Sequence, residues 1–478
     1  MNAVQDLFKN TCLLSISQII TNLLGFIWSI LTINYLGVDQ SGIISFAIAT
    51  ITMANIFMDF GMSTYIVRTI SRDNNLVHKY LGNVIPLKII LSLSTIVIVS
   101  LILKILNYPD LKILLCLIIG IQYAIMSMRD WFYGIFQAFN KMKYQAIGTI
   151  INSVFLLLII IITIYLNLGI VFIALAYLLS TIISTAYVIK IIRKLVKHIK
   201  IEFDFGYWFK TLKKSIPFAM TILLTTIFFT TDQVMISVIS GDHALGIYAS
   251  SYKILSVFIT IYVMYTVTIF PLMSSLYNKK SDDILKISYE KSVKYLLALA
   301  LPLCIGISFY AKDIIALLFN SFFSEAIPLL QVLIWNIVFV FVNGISDTVL
   351  NSSNHEMAVA KRTAIAGIFN FILNLVFIHE FSYFGAAIST LLSGLLILIL
   401  NNYLISRTVF KLNKSLIKDV VKIGISSSIL AIALYLTKIS MWLAIPVGLV
   451  IYITVILLTK TLDKDDIYIV KELLGKNN

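Results

Sequence analysis

The sequence predicts an all-α polytopic membrane protein with about fourteen transmembrane helices, arranged as two pseudo-symmetric six-helix lobes followed by two C-terminal accessory helices. Of its 478 residues 59% are hydrophobic and only 13% are charged, and the mean hydropathy is +0.96. Such a chain has too little polar surface to cover a soluble globule. Apolar runs that are long enough to cross a bilayer occur at residues 11–35, 43–65, 83–106, 112–136, 144–166, 170–192, 215–237, 246–274, 291–310, 327–350, 360–378, 384–406, 419–438 and 441–459.

The basic residues lie mostly on one side of these predicted spans. With the N-terminus inside, most of the 37 Lys and Arg residues fall in cytoplasmic segments, and Lys88 and Arg362 are counted among them. The outer loops hold Lys104, Lys112, Lys312 and Lys438. The positive-inside rule therefore predicts cytoplasmic N- and C-termini. The net charge of +14 fits this topology and contact with anionic inner-leaflet lipids, and nucleic acid binding is the poorer interpretation.

The sequence gives little support to an enzyme or a metal protein. Cys12, Cys116 and Cys304 fall in or beside apolar runs without paired spacing, which favours packing residues over a disulfide or metal site. Walker loops, nucleophile elbows, zinc-protease motifs and glycine-rich nucleotide fingerprints are also missing from the sequence. We therefore expect neither covalent chemistry nor a bound cofactor.

A glycine pattern near the start of the chain recurs about two hundred residues later. Gly37 and Gly42 are five residues apart, as are Gly241 and Gly246, and isoleucine follows the second glycine of each pair. Two further echoes are Asn152 with Asn370 and Gly169 with Gly385. The pattern indicates two parallel copies of one six-helix unit. Chance recurrence of glycine at short outer turns is the alternative.

These observations divide the chain into four parts. The predicted parts are an N-terminal six-helix lobe (1–192), a cytoplasmic amphipathic linker (193–214), a C-terminal six-helix lobe (215–407), and two accessory helices with a cytoplasmic tail (408–478). Around the linker, Ile189, Ile192, Val196 and Ile199 share one helical face among basic residues. This pattern is typical of a helix lying on the inner leaflet.

Stretches along almost the whole chain carry a family resemblance. They are FKNTCLLSISQIITNLLGF, YLGVDQSGIISFA, DFGMSTYIVRTISRD, SIPFAMTILLTTIFFTTDQVMIS, GIYASSYKI, IFPLMSSLY, AIPLLQVL and FNFILNLVFIHEFSYFGAAISTLLS. In this order and spacing the chain resembles the polysaccharide flippases of the multidrug/oligosaccharidyl-lipid/polysaccharide exporter superfamily, which includes O-antigen-unit transporters. The resemblance implies two lobes forming a V around a central cavity in the bacterial inner membrane. It also implies a cargo, an undecaprenyl-pyrophosphate-linked oligosaccharide for surface polysaccharide such as lipopolysaccharide, and polysaccharide polymerase or assembly proteins as partners.

Charged residues inside the predicted spans are the candidate functional residues. Each costs about 2.5 to 3.5 kcal/mol at mid-helix on insertion scales unless it faces water or a partner. They are Asp59, Arg129, Asp130 and Asp347 toward the inner ends of spans, and Asp232 and Lys253 toward the outer ends. We expect Arg129, Lys253 and Arg68 to contact substrate. The four carboxylates, Asp59, Asp130, Asp232 and Asp347, are candidates for coupling to H⁺ or Na⁺.

Three of these assignments have structural alternatives. Asp232 and Lys253 lie at similar depth, so they could form a simple ion pair, or Lys253 could meet cargo phosphate while Asp232 takes up the coupling ion. Arg129 and Asp130 point about 100° apart on a helix, so we expect them to engage different helices, with one facing the cavity. Arg68 could anchor ordinary phospholipid headgroups instead of cargo.

The predicted function is a flippase that works by alternating access. A multidrug exporter or an exporter of another lipid-linked precursor from the same superfamily is the transporter alternative. A membrane-bound polysaccharide polymerase or glycosyltransferase would need a catalytic loop. The longest outer loop, 311–326, holds Lys312, Asp313 and Glu325 without a catalytic arrangement.

Overall fold

The computed structural model describes residues 3–196, 200–279, 281–411 and 413–461, and its regular elements are helical. The α-helices are α1 (Ala3–Asp59), α2 (Met62–Ile70), α3 (Val77–Ile105), α4 (Asp110–Ala138), α5 (Lys143–Tyr165), α6 (Ile170–Leu195), α7 (Phe205–Asn278), α8 (Asp282–Phe309), α9 (Ala311–Leu318), α10 (Ala326–Leu333), α11 (Asn336–Ser352), α12 (Glu356–Thr408), α13 (Lys414–Thr437) and α14 (Met441–Leu458). Two 3₁₀ turns, Asn74–Leu76 and Ser321–Phe323, join neighbouring helices. The predicted all-α class is confirmed.

In the described ranges, eleven helical stretches are long and apolar enough to cross a membrane. Three of them, on α1, α7 and α12, contain 47, 57 and 53 residues, more than twice the roughly 20 that one crossing needs. Each of these three has a residue with non-helical backbone angles, at Gly37, Gly241 and Ser382. Counting each as two crossings gives fourteen spans, in agreement with the sequence prediction.

Two of the three kinks depend on glycine. Gly37 has φ 71° and ψ −176°, and Gly241 has φ 89° and ψ 174°. Residues with a Cβ almost never adopt this combination of angles. The two glycines that the sequence paired therefore share one backbone conformation, which is what the predicted repeat requires of them.

The two kinks pack against each other within one compact unit of the fold. A Cβ on Gly42 would lie 1.8 Å from the carbonyl oxygen of Asp242, and a Cβ on Gly246 would lie 2.0 Å from the carbonyl oxygen of Val38. Val38 and Asp242 each follow a kink glycine directly, so the two contacts are reciprocal. We call residues 37–42 and 241–246 the paired turns.

Polar side chains add to the contact between the paired turns. His243 Nδ1 lies 2.8 Å from Asp39 Oδ1, and these two residues are again separated by the repeat offset of 204. Lys112 at the start of α4 places its Nζ 2.7 Å from Asp242 Oδ1, which also accepts a hydrogen bond from Ser237. The Lys112 contact is the better protected, because Asp39 and His243 are largely exposed to solvent.

Asn152 and Asn370, the second pair of matching positions, each form a hydrogen bond with a serine side chain. Ser184 Oγ on α6 donates to Asn152 Oδ1 on α5 at 3.2 Å, and Asn370 Nδ2 donates to Ser393 Oγ at 3.1 Å within α12. Gly169 and Gly385, the third pair of matching positions, differ in backbone conformation. Gly169 has a positive φ, but at the last kink the positive φ belongs to Ser382 and not to Gly385. A Cβ on Gly385 would lie 1.9 Å from the carbonyl oxygen of Phe377, so this glycine serves close packing.

The described residues cluster into two compact units. The first contains the residues up to Lys253 together with Phe371–Ala386, and the second contains Ile254–Asn370 with the described residues from Ala387 onward. A core of large side chains in the first unit joins α2, α3, α4, α6 and the start of α7. In the second unit α8 packs with α11 and α13, and α13 packs with α14. The division into lobes predicted from the sequence stays a prediction.

The segment between α6 and α7 differs from the predicted surface helix. Ile192 and Val196 are buried in the core of the first unit, because α6 continues to Leu195 and turns this apolar face toward the protein. Residues 200–204 are not helical and lie over the start of α3, where Glu202 N donates to the carbonyl oxygen of Gly82. Ile199 and residues 462–478 of the predicted tail lie outside the described residues.

The paired turns yield a stability prediction. Gly42→Ala and Gly246→Ala each place a methyl group against a backbone carbonyl that cannot move aside. Overpacking of this kind costs about 1–3 kcal/mol. We expect both variants to melt at a lower temperature than the wild-type protein in the same detergent.

Gly306→Ala is the matched control, since nothing lies within 4 Å of a Cβ at this helical position. We expect its melting temperature to be unchanged or slightly raised, because alanine favours a helix over glycine. Equal melting temperatures for Gly42→Ala and Gly306→Ala would show that the close approach of the turns does not contribute to stability.

Candidate substrate and coupling-ion sites

Asp59, a predicted ion-coupling residue, lies at the end of α1 in an ion pair. Lys88 Nζ of α3 pairs with Asp59 Oδ1, and the Lys88 side chain is only 1% exposed. Ser63 Oγ donates to Asp59 Oδ1 at 2.5 Å, and Ser63 N donates to Oδ2 at 3.3 Å. The carboxylate is therefore fully satisfied by a cation and two further donors.

Arg129 is buried among three helices rather than open to a cavity. Its Nη1 donates to Asn152 Oδ1 at 2.9 Å on α5 and to Ser184 Oγ at 3.0 Å on α6. Its Nε and Nη2 both lie 3.3 Å from Asp130 Oδ1. Arg129 thus engages two other helices, as expected, but its long side chain also curls back to the adjacent carboxylate, a contact that helical spacing argued against.

Asp130 is the more accessible member of this pair. Its side chain is 47% exposed, whereas that of Arg129 is 8% exposed. Asp130 also lies within electrostatic range of Asp59 and Lys88. The four residues, which we call the four-charge cluster, contain two carboxylates and two cations and carry no net formal charge.

Asp347 lies in an ion pair in the second compact unit. Arg362 Nη2 of α12 pairs with Asp347 Oδ1 on α11, and Asn401 Nδ2 donates to the same oxygen at 3.3 Å. The Arg362 side chain is buried. Asp347 thus resembles Asp59, since each carboxylate is neutralised by a basic residue from another helix.

Asp232 has a different environment. Its residue exposure is 5%, the Tyr248 hydroxyl donates to Oδ2 at 2.5 Å, and the backbone N–H of Gln233 donates to Oδ1 at 2.8 Å. Both donors are neutral, and the described contacts of Asp232 include no cation. The ion pair with Lys253 that the sequence allowed as one alternative is not formed.

The two remaining candidate cations lie apart from these carboxylates. Lys253 Nζ is 5.2 Å from the ring centroid of Trp28 on α1, which is a cation–π distance. Arg68 lies exposed in the last turn of the short helix α2. Lys253 is thus held by the N-terminal helix, and Arg68 is available to solvent or lipid headgroups.

Aromatic residues that could stack on sugar rings belong mainly to the protein core. Trp131, Phe132 and Tyr133 are all buried within the first unit. In the second unit Tyr262 stacks on Phe341, with ring centroids 6.1 Å apart, and Tyr265 donates to Ser292. These contacts indicate packing roles.

Sequence reasoning missed the partners of the buried carboxylates. Lys88 and Arg362 were counted as cytoplasmic charges, although they fall within the predicted spans 83–106 and 360–378. A count that treated every charge inside a span as buried would have found both. The contacts of Tyr248 and Trp28 have no comparable signal in the sequence. No three His, Cys, Asp or Glu side chains converge as a metal site in the part of the chain that the structure describes.

Two family models match the chain. The model described as polysaccharide biosynthesis protein matches residues 7–277, and the MatE model matches residues 217–376. The uncharacterized membrane protein MJ1068 of Methanocaldococcus jannaschii is 33% identical over 122 residues, which cover 26% of this chain and 24% of that protein. The probable low-salt glycan biosynthesis flippase Agl15 of Haloferax volcanii is 26% identical over 239 residues, which cover 48% of this chain and 49% of Agl15.

Solved structures agree in fold along most of the chain. The lipid II flippase MurJ in an inward closed conformation superposes with a TM-score of 0.78 at 18% identity, covering 93% of this chain and 98% of MurJ. An inward-facing multidrug resistance MATE transporter superposes with a TM-score of 0.66 at 14% identity, covering 81% and 94%. Since the first family model covers more than half of the residues, the chain belongs to the polysaccharide biosynthesis protein family.

Proposed function

We propose that this protein is a flippase that moves a lipid-linked oligosaccharide from the inner to the outer leaflet of the cytoplasmic membrane. The observation that carries the proposal is the family match over residues 7–277, which includes both of the paired turns. The similarity to Agl15 supports a lipid-linked saccharide as cargo. The finer proposal is an undecaprenyl-pyrophosphate carrier of an O-antigen-like repeat unit, with both termini in the cytoplasm.

Alternating access explains how the cargo crosses without covalent chemistry. The two repeats rock about the site, so that it opens first to one leaflet and then to the other. Opening on the side of the paired turns requires the Gly42–Asp242 and Gly246–Val38 contacts to separate. These contacts are small and mostly backbone packing, so they can be broken and re-formed during a cycle.

The proposed cargo contacts are basic residues at different depths. Arg68 is exposed and meets the pyrophosphate first, and Lys253 supplies positive charge within a span. Arg129, which the sequence also predicted to contact cargo, is buried and its donors are engaged by Asn152 and Ser184, so its proposed role is to position the four-charge cluster. Anionic membrane lipids compete for Arg68, and a polysaccharide polymerase or assembly protein would take up the delivered unit.

Asp232 is the carboxylate best suited to couple transport to an ion. Asp59 and Asp347 are already neutralised by Lys88 and Arg362, so binding a further cation there would displace a basic side chain. Asp232 has only neutral donors among its described contacts. A buried carboxylate in this environment is stabilised by taking up H⁺ or Na⁺. We propose that this uptake biases the two access states.

A multidrug exporter is the second candidate function, since the MatE model matches residues 217–376. An exporter of small organic cations would use the same alternating access and the same coupling carboxylate. The two functions differ in the charge of the cargo. An anionic pyrophosphate needs Lys253 and Arg68, whereas a cationic drug would be repelled by them.

A reconstitution assay tests the flippase function. We expect vesicles that contain the purified protein to move a fluorescent, short-chain polyprenyl-pyrophosphate oligosaccharide between leaflets, as measured by dithionite quenching from outside. Vesicles without protein and a fluorescent phosphatidylcholine are the controls. Movement of an organic cation, without movement of the oligosaccharide lipid, would favour the drug-exporter function and contradict the proposal.

The same assay tests the coupling residue. We expect Asp232→Asn to remove the dependence of transport on an imposed pH or sodium gradient, because the neutral amide has no negative charge that H⁺ or Na⁺ could neutralise. Asp313→Asn is the matched control at an exposed position in α9, and it should transport as the wild-type protein does. A gradient dependence that persists in Asp232→Asn would exclude Asp232 as the coupling group.

A further inference from the structure

A lateral groove of about 810 Å³ lies in the first unit between α3, α4 and α6. Only Lys88, Ser92, Thr185 and Arg193 among its lining side chains are polar, and none of the lining residues is a carboxylate. The apolar lining includes Ile89, Leu93, Ile121 and Ile201, all of which are exposed in the protein alone. Such a surface needs an apolar occupant in the membrane.

The groove has the length of one bilayer leaflet. On α3 its lining runs from Ile85 to Ile96, and on α4 from Ile121 to Phe132. At 1.5 Å per residue each wall is roughly 16 Å long, about half of the roughly 30 Å hydrocarbon core. An acyl chain of a single leaflet fits this length, whereas an undecaprenyl chain is far longer than the groove.

Both cations lie at the same end of the groove. Because α3 and α4 run in opposite directions, Ile96 packs beside Gly120 at the far end and Lys88 lies at the opposite end. Arg193, in the last turn of α6, lines the end with Lys88. Lys88 is engaged by Asp59, while Arg193 is exposed and has no carboxylate among the contacts that the structure describes.

The charged end is bounded by the segment between α6 and α7. Ile201 lines the groove, and the residues after it are fastened to α3. Asn83 Nδ2 donates to Glu202 Oε2 at 2.8 Å, and Asp204 N donates to Asn83 Oδ1 at 3.2 Å. The wall is therefore fixed in place, and the groove is formed before any ligand enters.

We propose that this groove is a binding site for one anionic phospholipid, with an acyl chain between α3, α4 and α6 and its phosphate on the Arg193 guanidinium. Charge complementarity selects the headgroup, since the exposed Arg193 guanidinium lines the end of the groove and none of the lining residues is a carboxylate. The matching length selects a lipid of one leaflet over the longer polyprenyl carrier. The bound chain packs against Ile201 and so ties the segment between the repeats to the N-terminal helices.

Native mass spectrometry of the intact protein tests this site. The protein is taken from vesicles of equal phosphatidylglycerol and phosphatidylcholine, and retained lipid is counted. We expect one retained phosphatidylglycerol on the wild-type protein. Arg193→Gln should reduce this retention roughly fivefold, which is the change in affinity expected when one basic residue near an anionic lipid surface is lost. Lys194→Gln, a neighbouring exposed residue that does not line the groove, should leave it unchanged.

Two phenylalanine substitutions test whether the lipid chain lies in the apolar part of the groove. Ala124→Phe fills the groove and should lower retention, whereas Val97→Phe adds similar bulk at an exposed position of α3 outside the groove and should not. Melting temperatures check that both variants are folded. Equal retention of the two lipids, or equal losses in Arg193→Gln and Lys194→Gln, would each overturn the proposal.

Discussion

The structure depends on one constraint, the cost of placing charge where water cannot reach it. Two of the carboxylates inside the spans are paired with a basic residue from another helix, as in Asp59 with Lys88 and Asp347 with Arg362. Breaking a buried pair by removing one partner typically costs about 3–5 kcal/mol, because the other charge is left uncompensated. The pairs therefore fix which helices are neighbours, and they do so separately in each compact unit.

The same constraint identifies the residues that are free for function. Asp232 is more deeply buried than the paired carboxylates Asp59 and Asp347, yet its described donors are the neutral Tyr248 hydroxyl and a backbone amide. The four-charge cluster is balanced, but Asp130 remains half-exposed within it. Transport requires charges that can change partners. Asp232 has no cation among its described contacts, and Asp130 lies 3.3 Å from Arg129, so these two carboxylates are the least firmly paired. We propose that Asp59 and Asp347, which are held in ion pairs, stabilise the fold.

Much of the fold was readable from the sequence because hydrophobic length and glycine are strong, local signals. The spans follow from apolar runs, and the kinks at Gly37 and Gly241 follow from a pattern that repeats after 204 residues. The site was less readable because its partners are set by side-chain reach. Arg129 contacts the adjacent Asp130, which helical spacing argued against, and Asp232 pairs with Tyr248 rather than Lys253. Lys88 and Arg362 were visible in the spans but were counted as loop charges.

The central claim is that paired carboxylates hold the fold together and Asp232 does not. The direct measurement is the melting temperature of Asp59→Asn, Asp347→Asn and Asp232→Asn in one detergent. The account predicts a clear drop for the first two, because each leaves a buried basic side chain without its counter-charge. It predicts a smaller drop for Asp232→Asn, since the amide oxygen can still accept from Tyr248 and no buried basic side chain loses its counter-charge. A drop for Asp232→Asn as large as that for Asp59→Asn would contradict the claim.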